Sequence, residues 1–533
     1  MKQLILTFLT KIKMRWIKVR LWKPLIRASK KPHEVQTKLL LKIIEKNSNT
    51  TFGKDHKFKS ISNINDYQKH VSINSYEDLK PFIDLQESEK KPHLCSDQPI
   101  MYTQTSGSSS APKLIPINRN TTEQYRLSQH LVAYAIYSFM PDAYQGKILA
   151  IVSPAIEGRI SSGTPYGSMS GLIYSSMPRL TRLKYVLPTS VFDIESYDQK
   201  YYDIALHALM AADISMVATA NPSTLVKLEQ VIIEQIESLI SDIAKLNPKR
   251  ANALKRMLDS RGELVVSDLW PQLKVITTWT GGSCAVQLSN IYNRILSSTK
   301  VIELGYLASE FRGGITVDAQ ANIQIPAIHE NFYEFIERAD WENKKYNIKT
   351  LDQIIVGKQY YIFVTTQAGL YRYNINDVIE VTGWFNKTPT IRFVQKGVGI
   401  VSLTGEKLYE NQVIKAVIKL LSKKTNQVPF FIMLGCSKEM AYTLYIENLV
   451  IDSVQIEQEI GKQNIEFKTK IASGRLKPIN VLKIKPQTGE AYKKDCIKKG
   501  QREAQFKLKH LQYRENCSFK FEQYCEGLDS ETR

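Results

Sequence analysis

The stretch TSGSSSAPK, residues 105–113, has the composition of an anion-binding loop. Its nine residues include five hydroxyl side chains, one glycine and one lysine. Backbone amides of such a loop can point inward at a phosphate, hydroxyls add donors, and lysine adds a compact positive charge. The Walker pattern is not met, because the second glycine is absent and Leu114 follows the lysine. The stretch is therefore either a phosphate loop of another type or a polar loop without a ligand.

A second stretch, GYLASE at residues 305–310, directly follows the apolar run VIEL. The ring of Tyr306 could stack on a nucleobase, which stabilises binding by about 1–3 kcal/mol. Ser309 and Glu310 could meet phosphate and a hard divalent cation, which prefers oxygen ligands. The alternative is a core tyrosine beside a solvated glutamate.

Two later stretches add one acidic and one basic side chain to the candidate residues. YRYNINDV, residues 371–378, contains Asp377, whose carboxylate could accept hydrogen bonds from both ribose hydroxyls of a nucleotide. GQREAQFKLKHL, residues 500–511, contains Lys507. Taken alone, the first stretch favours an ordinary turn aspartate, and the second offers a lysine on a segment that could close over the main site.

In this order, the four stretches resemble motifs of the Gretchen Hagen family of acyl acid amido synthetases. That family belongs to the adenylate-forming superfamily, with acyl-CoA synthetases, luciferase and peptide-synthetase adenylation domains. Its hydroxyl-rich phosphate motif is similar to residues 105–113, its Tyr-Ala-Ser-Ser-Glu motif to YLASE, and its Tyr-Arg-x-x-x-Gly-Asp motif to YRYNIND. Its Gln-Tyr-Lys segment is similar to residues 500–511, and TGGS (280–283) and LTGEKLYE (403–410) resemble further family stretches.

The resemblance implies an enzyme that activates a carboxylic acid with ATP and Mg²⁺ as an acyl adenylate and then transfers the acyl group to an amino acid. It implies catalytic roles for Lys113, Glu310 and Lys507, with Glu310 also holding the metal. The nucleotide-binding residues that it implies are Thr105, Ser106, Gly107, Ser108, Ser109, Tyr306, Ser309, Asp377 and Lys396. The alternatives are a ligase of the same superfamily with a thiol or hydroxyl acceptor, and a non-catalytic relative that binds membrane or a polyanion.

Two positions depart from the family pattern. Asn376 replaces the usual glycine before the aspartate, although asparagine tolerates the same left-handed backbone. Gln395 and Lys396 stand where relatives tend to have an arginine near the ribose, so Lys396 is expected to supply that charge. The acyl site is expected along residues 153–178, where Arg159 is either a partner for an acidic substrate or solvated.

Alternating strands and helices must position these residues. Short apolar runs at 147–154, 214–220, 273–282 and 299–309 end in small or turn residues, which predicts buried strands of a mainly parallel sheet. Residues 221–260 predict two helices with a break at NPK, and residues 359–381 predict a strand, a turn at Gly369 and a second strand. The predicted fold class is α/β, a large adenylate-forming domain followed by a smaller, mobile α+β domain.

The length of 533 residues requires more than one domain. We predict a basic N-terminal segment at 1–31, a large nucleotide- and acid-binding domain at 32–398, and a small lid domain at 399–533 that begins with the order helix, strand, strand, helix. Six cysteines without a CxxC pair favour a reducing, cytoplasmic location. The Lys-, Ile- and Asn-rich composition is typical of an AT-rich, bacterial genome. No nucleic-acid-binding module is recognisable.

Half of the net charge of +20 lies in the first 31 residues, which hold ten Lys or Arg and no acid. Apolar residues recur there at near-helical spacing: Ile5, Phe8, Leu9, Ile12, Trp16 and Val19. The lysines interrupt the run too often for a membrane span. The segment is therefore either a helix that touches an anionic membrane peripherally or a first helix that packs on the body with a solvated basic face.

Overall fold

The structure is a computed structural model that describes residues 2–105, 113–281, 284–397, 399–421, 428–499, 501 and 506–526. Its chain forms two compact units. The first unit comprises residues 1–280 and 294–393, and the second comprises residues 281–293 and 394–533. The short segment 281–293, which belongs to the second unit, is not expected there from the sequence.

The helices and strands are numbered in chain order. The helices are α1 Lys2–Ile17, α2 Lys23–Ala28, α3 Pro32–Lys46, α4 Thr51–Asp55, α5 Ile64–His70, α6 Tyr76–Glu89, α7 Arg119–Phe139, α8 Met169–Ser175, α9 Arg179–Arg182, α10 Tyr197–Met210, α11 Ser223–Leu246, α12 Pro248–Arg261, α13 Val266–Leu269, α14 Cys284–Tyr292, α15 Arg338–Glu342, α16 Glu410–Leu421, α17 Ser453–Gly461, α18 Ile465–Ala472 and α19 Thr488–Lys498. The strands are β1 Met101–Thr105, β2 Lys113–Ile117, β3 Lys147–Ile151, β4 Gly158–Arg159, β5 Pro165–Gly167, β6 Ile214–Thr219, β7 Val275–Thr278, β8 Lys300–Glu303, β9 Gly314–Asp318, β10 Ile323–Pro326, β11 Phe332–Glu337, β12 Ile348–Lys349, β13 Gln359–Thr365, β14 Tyr373–Phe385, β15 Thr388–Lys396, β16 Ile400–Val401, β17 Leu408–Tyr409, β18 Phe431–Cys436, β19 Ala441–Glu447, β20 Asn480–Ile484 and β21 Leu511–Tyr513.

The four predicted apolar strands form one parallel sheet in the order β3-β6-β7-β8. Their side chains are almost all buried, as is typical of strands in a parallel sheet. The parallel direction brings the carboxyl ends of all four strands to one edge, and the functional stretch at 305–310 follows the last of them.

A β-hairpin carries the hydroxyl-rich stretch. Strand β1 pairs antiparallel with β2, and the last residue of β1, Thr105, lies opposite Lys113. The sheet order is β2-β1-β5-β4, with β1 parallel to β5. Ser106, Gly107, Ser108 and Ser109, which the sequence predicts to bind phosphate, lie outside the described residues.

A largely antiparallel sheet of five strands, β12-β11-β13-β14-β15, carries Asp377. The predicted strand–turn–strand pattern is confirmed by β13 and β14, with Gly369 at φ +95° between them. Asn376 has φ +57°, which confirms the left-handed backbone expected at this position.

The long helical region of the first unit also follows the prediction. Helix α11 begins at Ser223 and ends at Leu246, and α12 begins at Pro248. Asn247 interrupts the helical conformation between them, and its side-chain oxygen accepts a hydrogen bond from the backbone N–H of Arg250. Proline at the first helical position and asparagine before it are the residues that such a helix start favours.

The second unit contains the predicted order of helix, strand, strand and helix, as α16, β18, β19 and α17. Strands β18 and β19 pair antiparallel, and β20 and β21 add parallel partners on either side. Apolar residues of α16, α17 and one face of the sheet form a buried core that includes Val413, Val417, Met433, Leu444 and Ile456.

The N-terminal segment is one helical rod, in which a π-helical turn at Lys18–Trp22 joins α1 to α2. It packs on α7 of the same unit, where Met14 and Ile17 are buried against Tyr134. The apolar residues that set the helical spacing in the sequence, from Ile5 to Val19, are exposed, and among them Trp16 lies edge-on to His130 of α7.

Candidate active site

A hydrogen bond joins two of the sequence motifs. The hydroxyl of Tyr306 donates to Oδ2 of Asp377 at 2.6 Å, and both side chains are buried. Gly305, at φ +102°, turns the chain after β8, and the backbone N–H of Tyr306 then donates to Oε1 of Gln324 at 2.8 Å. Asp377 is held by β14, so two separate elements fix this contact.

The ring of Tyr306 is part of the core rather than an open platform. It is stacked on Phe393 at a centroid distance of 5.8 Å and lies edge-on to Phe311 at 5.5 Å. Burial, followed by the negative charge of Asp377, raises the pKa of the Tyr306 hydroxyl well above its ordinary value. The hydroxyl therefore stays protonated and remains a donor to Asp377.

Ser309, the residue before Glu310, lies beside the strand that leads into the hydroxyl-rich stretch. The Thr103 hydroxyl donates to the Ser309 carbonyl at 2.9 Å, and the Ser309 hydroxyl donates to the Gln104 carbonyl at 3.3 Å. Because Gln104 and Thr105 are consecutive on β1, the start of residues 105–113 lies next to the stretch at 305–310.

Glu310 and Asp377 act on the same neighbour. Burial raises the pKa of Tyr373, and the charges of Glu310, Tyr76 and Asp377 raise it further. Glu310 also contributes to the raised pKa of Tyr306, after burial and Asp377. Glu310 is buried and is therefore not the solvated glutamate of the alternative interpretation.

Lys113 lies on β2 at the other end of the hydroxyl-rich stretch. Its Nζ lies 5.5 Å from the centroid of the Tyr76 ring, a cation–π contact. The Tyr76 hydroxyl also accepts a hydrogen bond from the backbone N–H of Leu114 at 3.0 Å. The start of α6 thus fixes the strand that carries the lysine.

The first two residues of YRYNIND have structural contacts. Tyr371 is buried and donates its hydroxyl to the Leu94 carbonyl at 3.0 Å. Arg372 forms a buried ion pair with Glu334, at 2.9 Å, and donates to the Val71 carbonyl at 2.6 Å. These contacts secure the start of β14 and thereby the position of Asp377.

Glu303, at the end of β8, was missed in the sequence and organises the turn before Tyr306. Its Oε1 accepts from the Gly305 N–H at 3.0 Å, and its Oε2 accepts from the Thr280 N–H at 2.8 Å. It thus joins the start of the TGGS stretch to the start of GYLASE. A carboxylate at the end of an otherwise apolar strand was the signal for it.

A second missed group adjoins the 305–310 stretch. The hydroxyl of Tyr125, on α7, donates to the Ala308 carbonyl at 3.2 Å, and the buried guanidinium of Arg312 lies 6.0 Å from the Tyr125 ring centroid. The buried carboxyl of Glu330 accepts a hydrogen bond from Ser128 of the same helix. Burial raises the pKa of Glu330. Helix α7 carried no motif that the sequence analysis could use.

The segment expected to line the acid site follows β3 and includes β4 and β5. Arg159 lies on β4, is exposed, and donates to the Gly163 carbonyl at 2.8 Å. This placement agrees with the solvated alternative for Arg159.

The second unit holds the remaining predicted residues, Lys396 and Lys507. Lys396 ends β15 and is half-buried, whereas Lys507 is exposed and follows the buried Phe506. The neighbouring Gln395 is buried, and neither polar atom of its side chain has a hydrogen-bond partner in the part of the chain that the structure describes. Burial raises the pKa of Glu410, at the start of α16, to about 7, although the charges of Lys509 and Lys507 act against this shift.

Two proteins with solved structures have this fold. The GH3.15 acyl acid amido synthetase has a TM-score of 0.82 and 19% identity, with 94% of this chain and 95% of that chain covered. A 2-hydroxyisobutyryl-CoA ligase in the postadenylation state has a TM-score of 0.52 and 12% identity, with 91% and 90% covered. These likenesses agree with the predicted adenylate-forming fold.

A curated relative extends the likeness along most of the sequence. The indole-3-acetic acid-amido synthetase GH3.3 of Arabidopsis thaliana is 22% identical, over 89% of this chain and 88% of its own length. Three domains of one protein family match the chain in consecutive order. They are the GH3 family N-terminal domain at residues 22–299, its central domain at 324–396 and its C-terminal domain at 411–516. These three domains and the motifs gathered around Asp377 identify the chain as a member of the GH3 family, the Gretchen Hagen family that its sequence resembles.

Proposed function

We propose that the protein is an ATP-dependent acyl acid amido synthetase. In the first step, a carboxylate oxygen of the acid attacks the α-phosphorus of ATP, forming an acyl adenylate and releasing pyrophosphate. In the second step, the amine of an amino acid attacks the activated carbonyl carbon, forming the amide and releasing AMP. The adenylate is needed because an unactivated carboxylate would have to expel oxide.

The hydrogen bond between Tyr306 and Asp377 carries this proposal. It joins two motifs that are 71 residues apart, and the stretch at 305–310 in turn contacts the strand that leads into residues 105–113. A nucleoside triphosphate needs such a set of groups, a carboxylate for the ribose and donors for the phosphates, within one site. Membership of the GH3 family supports the same reaction.

The nucleotide roles that we propose combine this arrangement with the family resemblance. Asp377 accepts hydrogen bonds from the ribose hydroxyls and is oriented by Tyr306. The stretch that starts at Thr105, with Ser106, Gly107, Ser108 and Ser109, binds the β- and γ-phosphates. Lys113, at the base of the hairpin, supplies positive charge. Lys396 takes the position of the family arginine near the ribose.

Glu310 suits a single-carboxylate site for Mg²⁺. Among the residues that the structure describes, no group of three or more His, Cys, Asp or Glu side chains could hold a metal ion. Mg²⁺ needs no such cage, since it is commonly held by one or two carboxylates together with substrate phosphates. The buried carboxylate of Glu310, next in the chain to the Ser309 that contacts β1, fits this mode, and the ion would neutralise charge on the phosphates. The Ser309 hydroxyl donates its hydrogen to the Gln104 carbonyl, which leaves its oxygen lone pairs for the ion.

Acid-dependent exchange of pyrophosphate into ATP tests the first step. A panel of aryl, indolyl and fatty acids is compared with a reaction that lacks acid, and at least one acid is expected to support exchange. The absence of exchange with every acid, in protein that shows no thermal shift with ATP and Mg²⁺, would contradict the proposal.

The acceptor is tested separately. With the active acid and ATP, the products formed with amino acids, coenzyme A and simple alcohols are compared by mass spectrometry. An amide is expected. A thioester or ester in its place would keep the adenylation step but assign the protein to the other ligase class.

A further inference from the structure

The N-terminal helix presents an apolar stripe that the fold does not use. The stripe consists of Ile5, Phe8, Leu9, Ile12, Trp16 and Val19, which are between 38% and 63% exposed. At about 100° per residue, the five members on α1 fall within an arc of about 100°. Five of the 23 exposed large apolar side chains of the described residues therefore lie on one face of α1, and Val19 follows in the π-helical turn.

The opposite face of the same helix holds it to the body of the first unit. Met14 and Ile17 are buried against Tyr134, and Trp22 packs on Tyr134 with ring centroids 5.1 Å apart. Trp16 touches the body only at its edge, near His130. The helix is therefore packed on the first unit through its other face. The stripe stays exposed although the helix that carries it is held in place.

Positive charge borders the stripe. Lys11, Arg15 and Lys18 are exposed along one side of it, and the first 31 residues contain ten basic residues and no acid. An apolar stripe with basic flanks and a tryptophan is the pattern of a helix that lies in the interface of an anionic bilayer. No helix within the described residues is long and apolar enough to cross a membrane.

From this geometry, we propose that the stripe docks the enzyme on the surface of an anionic lipid bilayer. A second copy of the chain would place two strongly basic segments against each other, which is unfavourable. A nucleic acid would match the charge but leave the aliphatic side chains without a partner. A bilayer with anionic headgroups satisfies both features, since the headgroups pair with the lysines while the acyl region takes up the apolar side chains.

Co-sedimentation of the full chain with vesicles tests this surface. Vesicles of phosphatidylcholine alone are compared with vesicles that also contain phosphatidylglycerol. Binding is expected at least about tenfold stronger to the anionic vesicles and is expected to weaken with salt. Equal binding to both kinds of vesicle, or no binding to the anionic kind, would overturn the proposal.

Two variants separate the stripe from general stickiness. Phe8→Ser, Ile12→Ser and Trp16→Ser together should reduce binding to anionic vesicles by at least about tenfold. Leu246→Ser, Val454→Ser and Ile465→Ser, which remove equally exposed apolar residues elsewhere, should change it by less than about twofold. Both variants should keep the melting temperature of the wild type, because all six side chains are exposed.

The other occupants give different results. Undiminished vesicle binding by the stripe variant would assign binding to charge alone and overturn the proposal. A wild-type dimer that becomes a monomer in the stripe variant, measured by light scattering without lipid, would assign the surface to a second copy. Quenching of tryptophan fluorescence by brominated anionic lipid, lost in Trp16→Phe, is the expected result for insertion.

Discussion

At the residue scale, the site depends on a buried carboxylate with a fixed orientation. Asp377 accepts a hydrogen bond from Tyr306, whose own position is set by the Gly305 turn and by Gln324. We propose that this carboxylate binds the ribose; held in this way, it would need no reorganisation when the ribose arrives, and binding energy would not be lost to ordering it.

Tyr306→Phe removes the hydroxyl but keeps the ring and its packing. We expect the KM for ATP to rise by about tenfold or more, because a hydrogen bond to a charged group contributes about 1.5–3 kcal/mol. Tyr371→Phe is the matched control, since it removes a buried hydroxyl that donates to the Leu94 carbonyl. Pyrophosphate exchange measures both, and equal KM values for the two variants would count against the role of Tyr306.

Arg372→Met tests the ion pair that secures β14. It leaves the buried Glu334 without its cation and should lower the free energy of unfolding by about 3–5 kcal/mol. Arg392→Met removes the exposed partner of Glu380 and should cost less than about 1 kcal/mol. Urea unfolding compares the two variants. Similar losses in the free energy of unfolding would mean that burial does not determine how much an ion pair contributes to stability.

At the element scale, the sequence predicts the individual strands and turns better than it predicts which of them come into contact in the fold. The apolar runs predict the parallel sheet, and the glycine between two strand patterns predicts the turn between β13 and β14. The close approach of Ser309 to β1 depends on tertiary packing over about two hundred residues, which local periodicity does not encode. For the same reason, the sequence showed the helical spacing from Ile5 to Val19 but not which face of the helix is buried.

Gly369→Ala tests the turn that precedes β14. Gly369 has φ +95°, and an added Cβ would lie 2.8 Å from Cγ of Leu94. Gly357, at φ +83°, has no atom within 4 Å of such a Cβ, so Gly357→Ala isolates the backbone cost of about 1–2 kcal/mol. Overpacking should add about 1–3 kcal/mol at Gly369. Thermal unfolding that ranks Gly357→Ala as the more damaging change would contradict this account.

At the scale of the whole molecule, the second unit contains a glutamate, Glu410, whose titration near neutral pH affects stability. Burial raises the pKa of Glu410 from an ordinary value of 4.5 to about 7. Below about pH 4.5 the carboxyl is protonated in both the folded and the unfolded chain, so its contribution to stability is fully present. That contribution falls as the pH rises to about 7, because the unfolded chain releases the proton first.

Glu410→Gln stays neutral at every pH. Relative to the wild type, its melting temperature should therefore rise between pH 5 and pH 8, with a gain on the order of 3 kcal/mol at the upper end. The amide oxygen can still accept the hydrogen bond from the His510 N–H. Glu466→Gln, at an exposed position, is the control. A difference from the wild type that does not change with pH would show that Glu410 is ionised when buried.

The residues that we propose for nucleotide binding and for adenylation belong to different units of the chain. Asp377 and Glu310 belong to the first unit, whereas Lys507 belongs to the second. We propose that Lys507 stabilises charge on the α-phosphate during adenylation and does not contribute to nucleotide binding in the ground state. Substitution of Lys507 should therefore change kcat rather than the affinity for ATP.

Lys507→Ala should retain the thermal shift that ATP and Mg²⁺ produce but lose about a hundredfold in pyrophosphate exchange, the usual cost of one aimed donor. Lys509→Ala removes an exposed lysine two residues along the same segment and serves as its control. Because both lysines lower the pKa of Glu410, a purely electrostatic effect on the second unit would appear in both variants. An equal loss of exchange in the two variants would therefore assign the effect to local charge, and unchanged exchange in Lys507→Ala would remove this lysine from the adenylation step.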